Sequence, residues 1–106
     1  MSQPTSQPSS QIIDDYVSLL TPRARGAIKG VARLDITGEG SVMLDENGAR
    51  AGEGAADVVL IARDAVFRRI LSGEQNPVTA FMTGKLKVEG NAQRALKVSA
   101  ILVDAG

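Results

Sequence analysis

The sequence predicts a single α+β domain in which helices cover a mostly antiparallel sheet of four or five strands. The predicted order of elements is helix, strands, helix, helix, strand, helix, with three strands before the helix pair and one after it. Elements of one type are therefore grouped along the chain, which is typical of this fold class. At 106 residues, the chain is also short enough for one domain.

The first elements are a polar tail and a short helix. Residues 1–11 are mainly Ser, Gln and Pro, which predicts a disordered tail before a domain that spans residues 12–106. A helical stripe follows in Ile13, Tyr16, Val17 and Leu20. Thr21-Pro22 is predicted to end this helix, because a residue before Pro disfavours helical torsions. The stripe either packs on the domain, which we favour, or lies on a membrane or gates a pocket.

The strands of the first half begin with a hairpin. Its inward-facing residues are Ala32, Leu34, Ile36, Val42 and Leu44. Its turn is Gly38-Glu39-Gly40, and a second turn follows at Glu46-Asn47-Gly48. Residues 49–55 are rich in Gly, which predicts a weak edge strand or a loop. Residues 57–62 form an unbroken β-branched run, so we expect a central strand covered on both faces.

Two helices are predicted next. The first covers residues 64–72, with Asp64 as its N-cap and Gly73 in the left-handed conformation that ends it. Its apolar stripe consists of Val66, Phe67, Ile70 and Leu71. The second begins at Asn76-Pro77, an N-cap followed by Pro at the first helical position, and ends before Gly84. Its apolar residues Val78, Phe81 and Met82 are expected to face inward.

A strand and a helix complete the chain. Residues 85–89 alternate between charged and apolar side chains, which places Leu86 and Val88 on the inward face. Gly90-Asn91 then begins the last helix. The inward face of that helix is predicted to carry Ala92, Ala95, Leu96, Ser99, Leu102 and Val103.

Composition excludes several classes of function. The chain has no Cys and no His, so it lacks the usual zinc ligands and the base of a Ser-His-Asp triad. Lys plus Arg equals Asp plus Glu, which disfavours a dedicated nucleic-acid binder. The two Gly-Glu-Gly sequences lack the Lys and Ser/Thr of a phosphate-binding loop, and the carboxylates lack calcium-site spacing. We therefore expect no catalytic residue, no metal and no cofactor.

A set of short motifs follows in order along the second half. They are Asp57-Val58, Asp64, Gly73, Asn76-Pro77, Ala80-Phe81, Gly84-Lys85-Leu86-Lys87-Val88, Gly90 and Ala95-Leu96. This set resembles the sterol carrier protein type-two family of lipid-binding domains. Residues 28–52 are similar to the first hairpin of that family, so the likeness covers about residues 12–103. The resemblance implies a twisted five-stranded sheet and, between sheet and helices, a hydrophobic tunnel for fatty acids, fatty acyl-CoA, sterols or phospholipids.

Apolar side chains on three helices and one strand are the candidate tunnel walls. They are Phe67, Ile70, Leu71, Val78, Phe81, Met82, Leu86, Val88, Leu96, Ser99 and Leu102. Candidate contacts for an anionic headgroup are Arg68, Arg69, Arg94 and Lys97, together with Lys85 and Lys87. The alternative interpretation is that the apolar residues form an ordinary core and the cations are solvated surface charges.

The predicted function is to bind and carry or present such a lipid. The first alternative is an interaction or regulatory module with a filled core, and the second is an enzyme. Expected partners are a lipid or fatty acyl ligand and a transient membrane contact, with no nucleic acid, and the chain is expected to be a monomer. Because the sequence shows no secretory signal, no membrane-spanning run and no Ser-Lys-Leu at its C-terminus, we expect a cytoplasmic location.

Overall fold

The computed structural model describes residues 8–103, with side chains from Gln11 onward. Its elements are α1 (Pro8–Ala24), β1 (Ala32–Ile36), β2 (Gly40–Asp45), β3 (Gly48–Ala51), β4 (Val58–Ala62), α2 (Asp64–Ser72), α3 (Pro77–Met82), β5 (Lys87–Gly90) and α4 (Ala92–Leu102). This order confirms the predicted one. Among these residues, no helix is long and apolar enough to cross a membrane.

The five strands form one sheet in the order β3-β2-β1-β4-β5. β1 pairs antiparallel with β2, β2 with β3, and β4 with β5, whereas β1 and β4 are parallel. The α+β class and the mostly antiparallel five-stranded sheet are thus confirmed. β4 is an interior strand, as expected from its β-branched run, but β1 holds the middle position. The Gly-rich segment after the second turn contributes the edge strand β3.

The hydrophobic core lies between one face of the sheet and the helices. Leu34 of β1 is opposite Val42 of β2 and Leu60 of β4, and all three are buried. α1 covers β2 and β3, while α4 covers β4 and β5 and also contacts α1. On the other face, the guanidinium of Arg33 donates to the carbonyl of Gly54 at 3.0 Å. That contact holds the segment after β3 over part of this face.

α1 is longer than predicted at both ends. It begins at Pro8 and continues to Ala24, past Pro22. Leu20 and Ala24 are completely buried, whereas Pro22 is exposed. The burial of these two residues therefore outweighs the local preference of Pro to end the helix. The predicted tail overlaps the start of α1, and residues 1–7 lie outside the described residues.

The predicted caps at Asn76, Gly73 and Asn91 agree with the structure, and the one at Asp64 does not. The Asn76 side chain accepts hydrogen bonds from the backbone N–H groups of Val78 and Thr79, at 2.8 and 3.2 Å. Gly73 has φ +89° and ends α2 as predicted. The prediction for Asp64 is wrong by one residue, because Arg63 is the N-cap and makes no side-chain cap bond. Asp64 is instead the first helical residue, and its carboxylate is occupied by two other contacts.

Those contacts join α1 to α2. The Tyr16 hydroxyl donates to Asp64 Oδ1 at 2.7 Å, and Arg68 Nε donates to the same oxygen at 2.8 Å. The Tyr16 ring meets Phe67 edge to face, with 6.3 Å between ring centroids. Burial, and then the hydrogen bond to Asp64, raises the pKa of the Tyr16 hydroxyl far above its ordinary value. The stripe of α1 thus packs on the domain, as we favoured.

This burial predicts an alkaline limit of stability. Because the folded-state pKa of Tyr16 is raised, its contribution is complete below about pH 10 and falls above it by up to about 1.4 kcal/mol per pH unit. Tyr16 is the chain's single tyrosine and there is no Trp, so tyrosinate absorbance reports this residue alone. We expect the absorbance to rise only as the far-UV circular dichroism is lost. Ionisation of a still-folded chain at the pH of free N-acetyltyrosinamide would contradict the buried hydroxyl.

Candidate functional site

Most of the predicted tunnel residues lie together in the core. Buried in it are Phe67, Ile70, Leu71, Leu86, Ser99 and Leu102, and partly buried against it are Val88 and Leu96. The Ser99 hydroxyl donates to the Leu96 carbonyl at 2.8 Å, so its single donor is used within α4. Across the described side chains, no buried nitrogen or oxygen lacks a partner. Apart from Ser99, the predicted tunnel residues that are buried here are apolar.

The three apolar residues of α3 do not face inward, and that prediction is wrong. Val78, Phe81 and Met82 are 45%, 36% and 77% exposed. Ala80, which is fully buried, lies on the opposite side of the helix, because successive helical residues are about 100° apart. The Ala80 carbonyl also accepts from the N–H groups of Lys85 and Leu86, at 2.9 and 3.0 Å. These bonds fix α3 with its small residue inward.

A pocket of about 340 Å³ opens between α4 and the segment that follows α1. We call it the α4 pocket; it is lined by Ala27, Ile28, Lys29, Arg94, Lys97, Val98 and Ile101. Ile28 and Val98 are buried core residues and form its floor, while the side chains of Lys29, Arg94 and Lys97 are exposed. An apolar floor beneath three cations suits an amphipathic molecule with an anionic end.

The geometry of the α4 pocket depends on Arg94. Its Nη2 atom donates to the carbonyl of Lys29 at 2.7 Å and lies 3.7 Å from Asp57 Oδ2. Gly30 leaves room for Arg94 and Asp57 to come together, since a Cβ atom at Gly30 would clash with Arg94 Nη2 and would lie 2.5 Å from Asp57 Oδ2. Arg94 therefore joins the start of α4 to the wall of the pocket. Its guanidinium has donors left for a ligand.

A second pocket, of about 550 Å³, lies at the end of β4 and beside α2. We call it the basic basin, because its lining includes Arg63, Arg69, Lys85 and Lys87 and no acidic residue. In the part of the chain that the structure describes, none of these four side chains makes an ion pair or a hydrogen bond. Their charge is therefore available to an external anion.

The candidate headgroup cations are thus divided between different places. Arg94 and Lys97 line the α4 pocket, and Arg69 lines the basic basin with Lys85 and Lys87. Arg68 is held elsewhere: its hydrogen bond with Asp64 raises the pKa of its guanidinium, which also lies 5.5 Å above the Tyr16 ring. Arg68 thus has a structural role in the contact between α1 and α2.

Sequence reasoning missed most of the α4 pocket. Arg94, Lys97, Val98 and Ile101 follow the spacing i, i+3, i+4, i+7 and form one stripe of α4. Because this stripe mixes cations with apolar residues, it does not show the purely apolar pattern that predicts a buried helix face. The other wall comes from Ala27, Ile28 and Lys29, which lie three to five residues after the end of α1 and meet α4 only in the folded chain.

Acid-base and metal chemistry find little support in the described side chains. No group of three or more His, Cys, Asp or Glu among them is placed to hold a metal ion. Tyr16 and Asp64 form a close pair of titratable groups, at 2.7 Å. The raised pKa of Tyr16 keeps its hydroxyl protonated, which is the opposite of what a tyrosine base requires.

Comparison with known sequences identifies relatives over most of the chain. The family model of the SCP-2 sterol transfer family matches residues 16–103. A fatty acid-binding protein of Yarrowia lipolytica is 38% identical over 72 residues, which cover 68% of this chain and 54% of that protein. Hydroxysteroid dehydrogenase-like protein 2 of Xenopus tropicalis is 32% identical over 111 residues, covering 94% of this chain and 27% of that protein. The chain thus spans about half and about a quarter of these relatives.

Comparison with solved structures gives the same fold. The sterol carrier protein domain 2 of Helicoverpa armigera superposes with a TM-score of 0.72 at 20% sequence identity, and the match covers 94% of this chain and 92% of that one. The five-stranded sheet with its helices on one face is therefore the fold of a sterol carrier protein domain. With the family match over residues 16–103, it follows that the chain belongs to the SCP-2 sterol transfer family.

Proposed function

We propose that this chain binds a lipid, such as a fatty acid, fatty acyl-CoA, sterol or phospholipid, and carries or presents it. The observation that carries the proposal is the α4 pocket, which combines an apolar floor with three cations. Its volume of about 340 Å³ lies within the range of about 300 to 1,000 Å³ that small-molecule sites occupy. Membership in the SCP-2 sterol transfer family and the 38% identity to a fatty acid-binding protein support the same function.

The energetics of such a site are simple. Each CH₂ group that leaves water contributes about 0.8 kcal/mol, so an acyl chain needs apolar walls and little polar specificity. The anionic end of the ligand would meet Lys29, Arg94 and Lys97 at the rim. A ligand with both parts is therefore held by two separate interactions, and a fatty acid or its acyl-CoA fits this division better than a neutral sterol.

The acyl chain would extend from the α4 pocket toward the predicted tunnel walls. Ile28 and Val98, at the floor of the pocket, belong to the same apolar cluster as Phe67, Ile70, Leu71 and Leu102. The inward side of α4 carries the small residues Ala95 and Ser99, so a modest outward movement of α4 opens space beside them. We leave Val78, Phe81 and Met82 out of this site because they face solvent.

We further propose that the chain itself performs no bond chemistry. It matches 27% of the length of hydroxysteroid dehydrogenase-like protein 2, and that match is consistent with a lipid-carrying unit that also occurs within longer proteins. The absence of His and Cys from the sequence supports this view.

The proposal is tested by a titration of the ¹⁵N-labelled, delipidated chain with palmitate and then palmitoyl-CoA, followed through amide chemical shifts. NMR is the suitable method because the chain contains no Trp. We expect saturable shifts at Ile28, Val98 and Ile101 that extend to Phe67 and Leu71. The variant Ile101→Gln should bind about tenfold more weakly, because it places a polar group on the pocket wall.

The matched control is Leu19→Gln, which alters an exposed apolar residue of α1 outside the pocket and should bind as the parent does. Shifts that are diffuse and do not saturate would contradict lipid binding. They would favour the second candidate, an interaction or regulatory module with a filled core. One observation favours that candidate: Phe67, Ile70 and Leu71 are each at most 3% exposed.

A further inference from the structure

The exposed apolar side chains of this protein are concentrated at α3. In the described part of the chain, the large apolar residues that are exposed are Leu19, Val78, Phe81 and Met82. Three of the four lie on one side of α3, a helix of six residues. Isolated exposed apolar residues such as Leu19 are ordinary, but a contiguous group commonly marks an interaction surface.

The basic basin lies directly beside this group. Gln75, which precedes α3 by two residues, and Gly84 and Lys85, which follow it, all line the basin. The four cations of the basin are unpaired within the described residues, and no acidic side chain lines it. α3 is therefore an apolar projection whose two flanking loops border a surface of concentrated positive charge.

The charge of this surface is a local feature rather than a property of the whole chain. The formal net charge of the protein is zero, so four unpaired cations at one end of β4 are balanced by acids elsewhere. The nearest acidic neighbours in sequence are Asp64, which is bonded to Tyr16 and Arg68, Glu74, which accepts from Ser72, and Glu89, which lies in β5 two residues after Lys87. None of the three lines the basin.

α1 does not offer a comparable surface. Its apolar residues Ile13, Tyr16 and Leu20 are buried against the sheet and α2. Exposing them would remove the contacts of Tyr16 with Phe67 and Asp64. Apart from Leu19, the large apolar side chains that the described part of the chain exposes without any unfolding are those of α3.

We propose that α3 and the basic basin together form a face that docks on a lipid bilayer carrying anionic headgroups. Phe81 and Met82 reach the boundary between headgroups and acyl chains, and the cations of the basin bind the lipid phosphates. Charge complementarity selects a bilayer as the partner, because an apolar projection bordered by cations matches a surface with acyl chains below anionic phosphates. The docking face shares no residue with the α4 pocket, so the two proposals fail separately.

The test is flotation of the full chain with vesicles of phosphatidylcholine, alone or mixed equally with phosphatidylglycerol. We expect binding to the mixed vesicles that weakens with added salt, and little binding to phosphatidylcholine alone. Phe81→Gln should weaken binding to mixed vesicles about tenfold or more, since it removes a large apolar side chain from the bilayer boundary. Lys85→Gln should weaken it about fivefold, and the salt dependence should become shallower.

Two variants serve as matched controls. Leu19→Gln removes an exposed apolar residue of α1, and Arg50→Gln removes a cation of the edge strand β3, at the far side of the sheet from β5. Both should float as the parent does. The proposal would be overturned if Leu19→Gln and Phe81→Gln lost vesicle binding equally, or if neither Phe81→Gln nor Lys85→Gln changed it. It would also be overturned if the parent did not bind vesicles but formed a dimer, detected by light scattering, that Phe81→Gln dissociates.

Discussion

Replacing Phe67 by alanine is expected to lower the free energy of unfolding by about 3 to 5 kcal/mol. Phe67 is 3% exposed and lies in the apolar cluster between α2 and the sheet. Its truncation leaves a cavity and also removes the edge-to-face contact with Tyr16. Urea denaturation followed by far-UV circular dichroism measures the loss, which should appear as a lower midpoint at an unchanged slope.

The second phenylalanine of the chain supplies the control. Phe81 is 36% exposed on α3, and its replacement by alanine should cost about 1 kcal/mol, because it leaves no enclosed cavity. Sequence analysis placed both residues in the same tunnel, so this comparison also tests the orientation of α3. Similar losses at the two positions would show that Phe81 is buried in solution and would remove the basis of the docking face.

Replacing Gly90 by alanine should have a comparably large effect, a loss of about 4 kcal/mol. Gly90 has φ +92°, which L side chains rarely adopt, and a Cβ atom there would lie 2.6 Å from the carbonyl oxygen of Asp57. It would also lie 3.3 Å from the Cα atom of Val58, the residue that pairs with Gly90 across the sheet. Because these are backbone atoms, no side-chain rotation relieves the clash, and β5 has to move away from β4.

Gly84→Ala is the matched substitution for Gly90→Ala. Gly84 has a similar φ of +80°, but a Cβ atom there would meet nothing within 4 Å. Gly84→Ala should therefore lower the free energy of unfolding only by the torsional strain, about 1 to 2 kcal/mol. The difference between the two free energies of unfolding isolates the close approach of β5 to β4. Two equal losses would mean that torsional strain alone is responsible and that the β4–β5 spacing adapts.

Features set by neighbouring residues were predictable from the sequence. The first hairpin was predictable because Ala32, Leu34 and Ile36 alternate with polar residues and a Gly-containing turn follows. The N-cap of α3 was predictable because Asn76-Pro77 combines a side-chain acceptor with a residue that needs no N–H partner. The left-handed end of α2 at Gly73 follows the same logic.

Features that depend on distant contacts were not predictable. Asp is a residue type that commonly caps a helix, but Asp64 is the first residue inside α2. Its carboxylate accepts hydrogen bonds from Tyr16 and Arg68 instead of capping the helix. Burial of Leu20 and Ala24 continues α1 past Pro22 against its local preference. Periodicity grouped the large apolar residues of α3 on one side but did not show whether that side faces the core or the solvent. A single alanine, Ala80, was too weak an indication that the opposite side is the buried one.

The single parallel pairing in the sheet has a consequence for folding. β1 pairs with β2 and β2 with β3 to form one antiparallel wing, and β4 and β5 form a second antiparallel pair. The two wings are joined at the β1–β4 ladder. Every partner in that ladder is 26 positions away, as from Ala32 to Val58 (58 − 32). The partners in the β4–β5 ladder are as far apart or farther, as from Val58 to Gly90 (90 − 58 = 32), so both ladders order a long intervening chain before the core rewards it. We expect the formation of these two ladders, rather than the local pairing of β1, β2 and β3, to limit the folding rate.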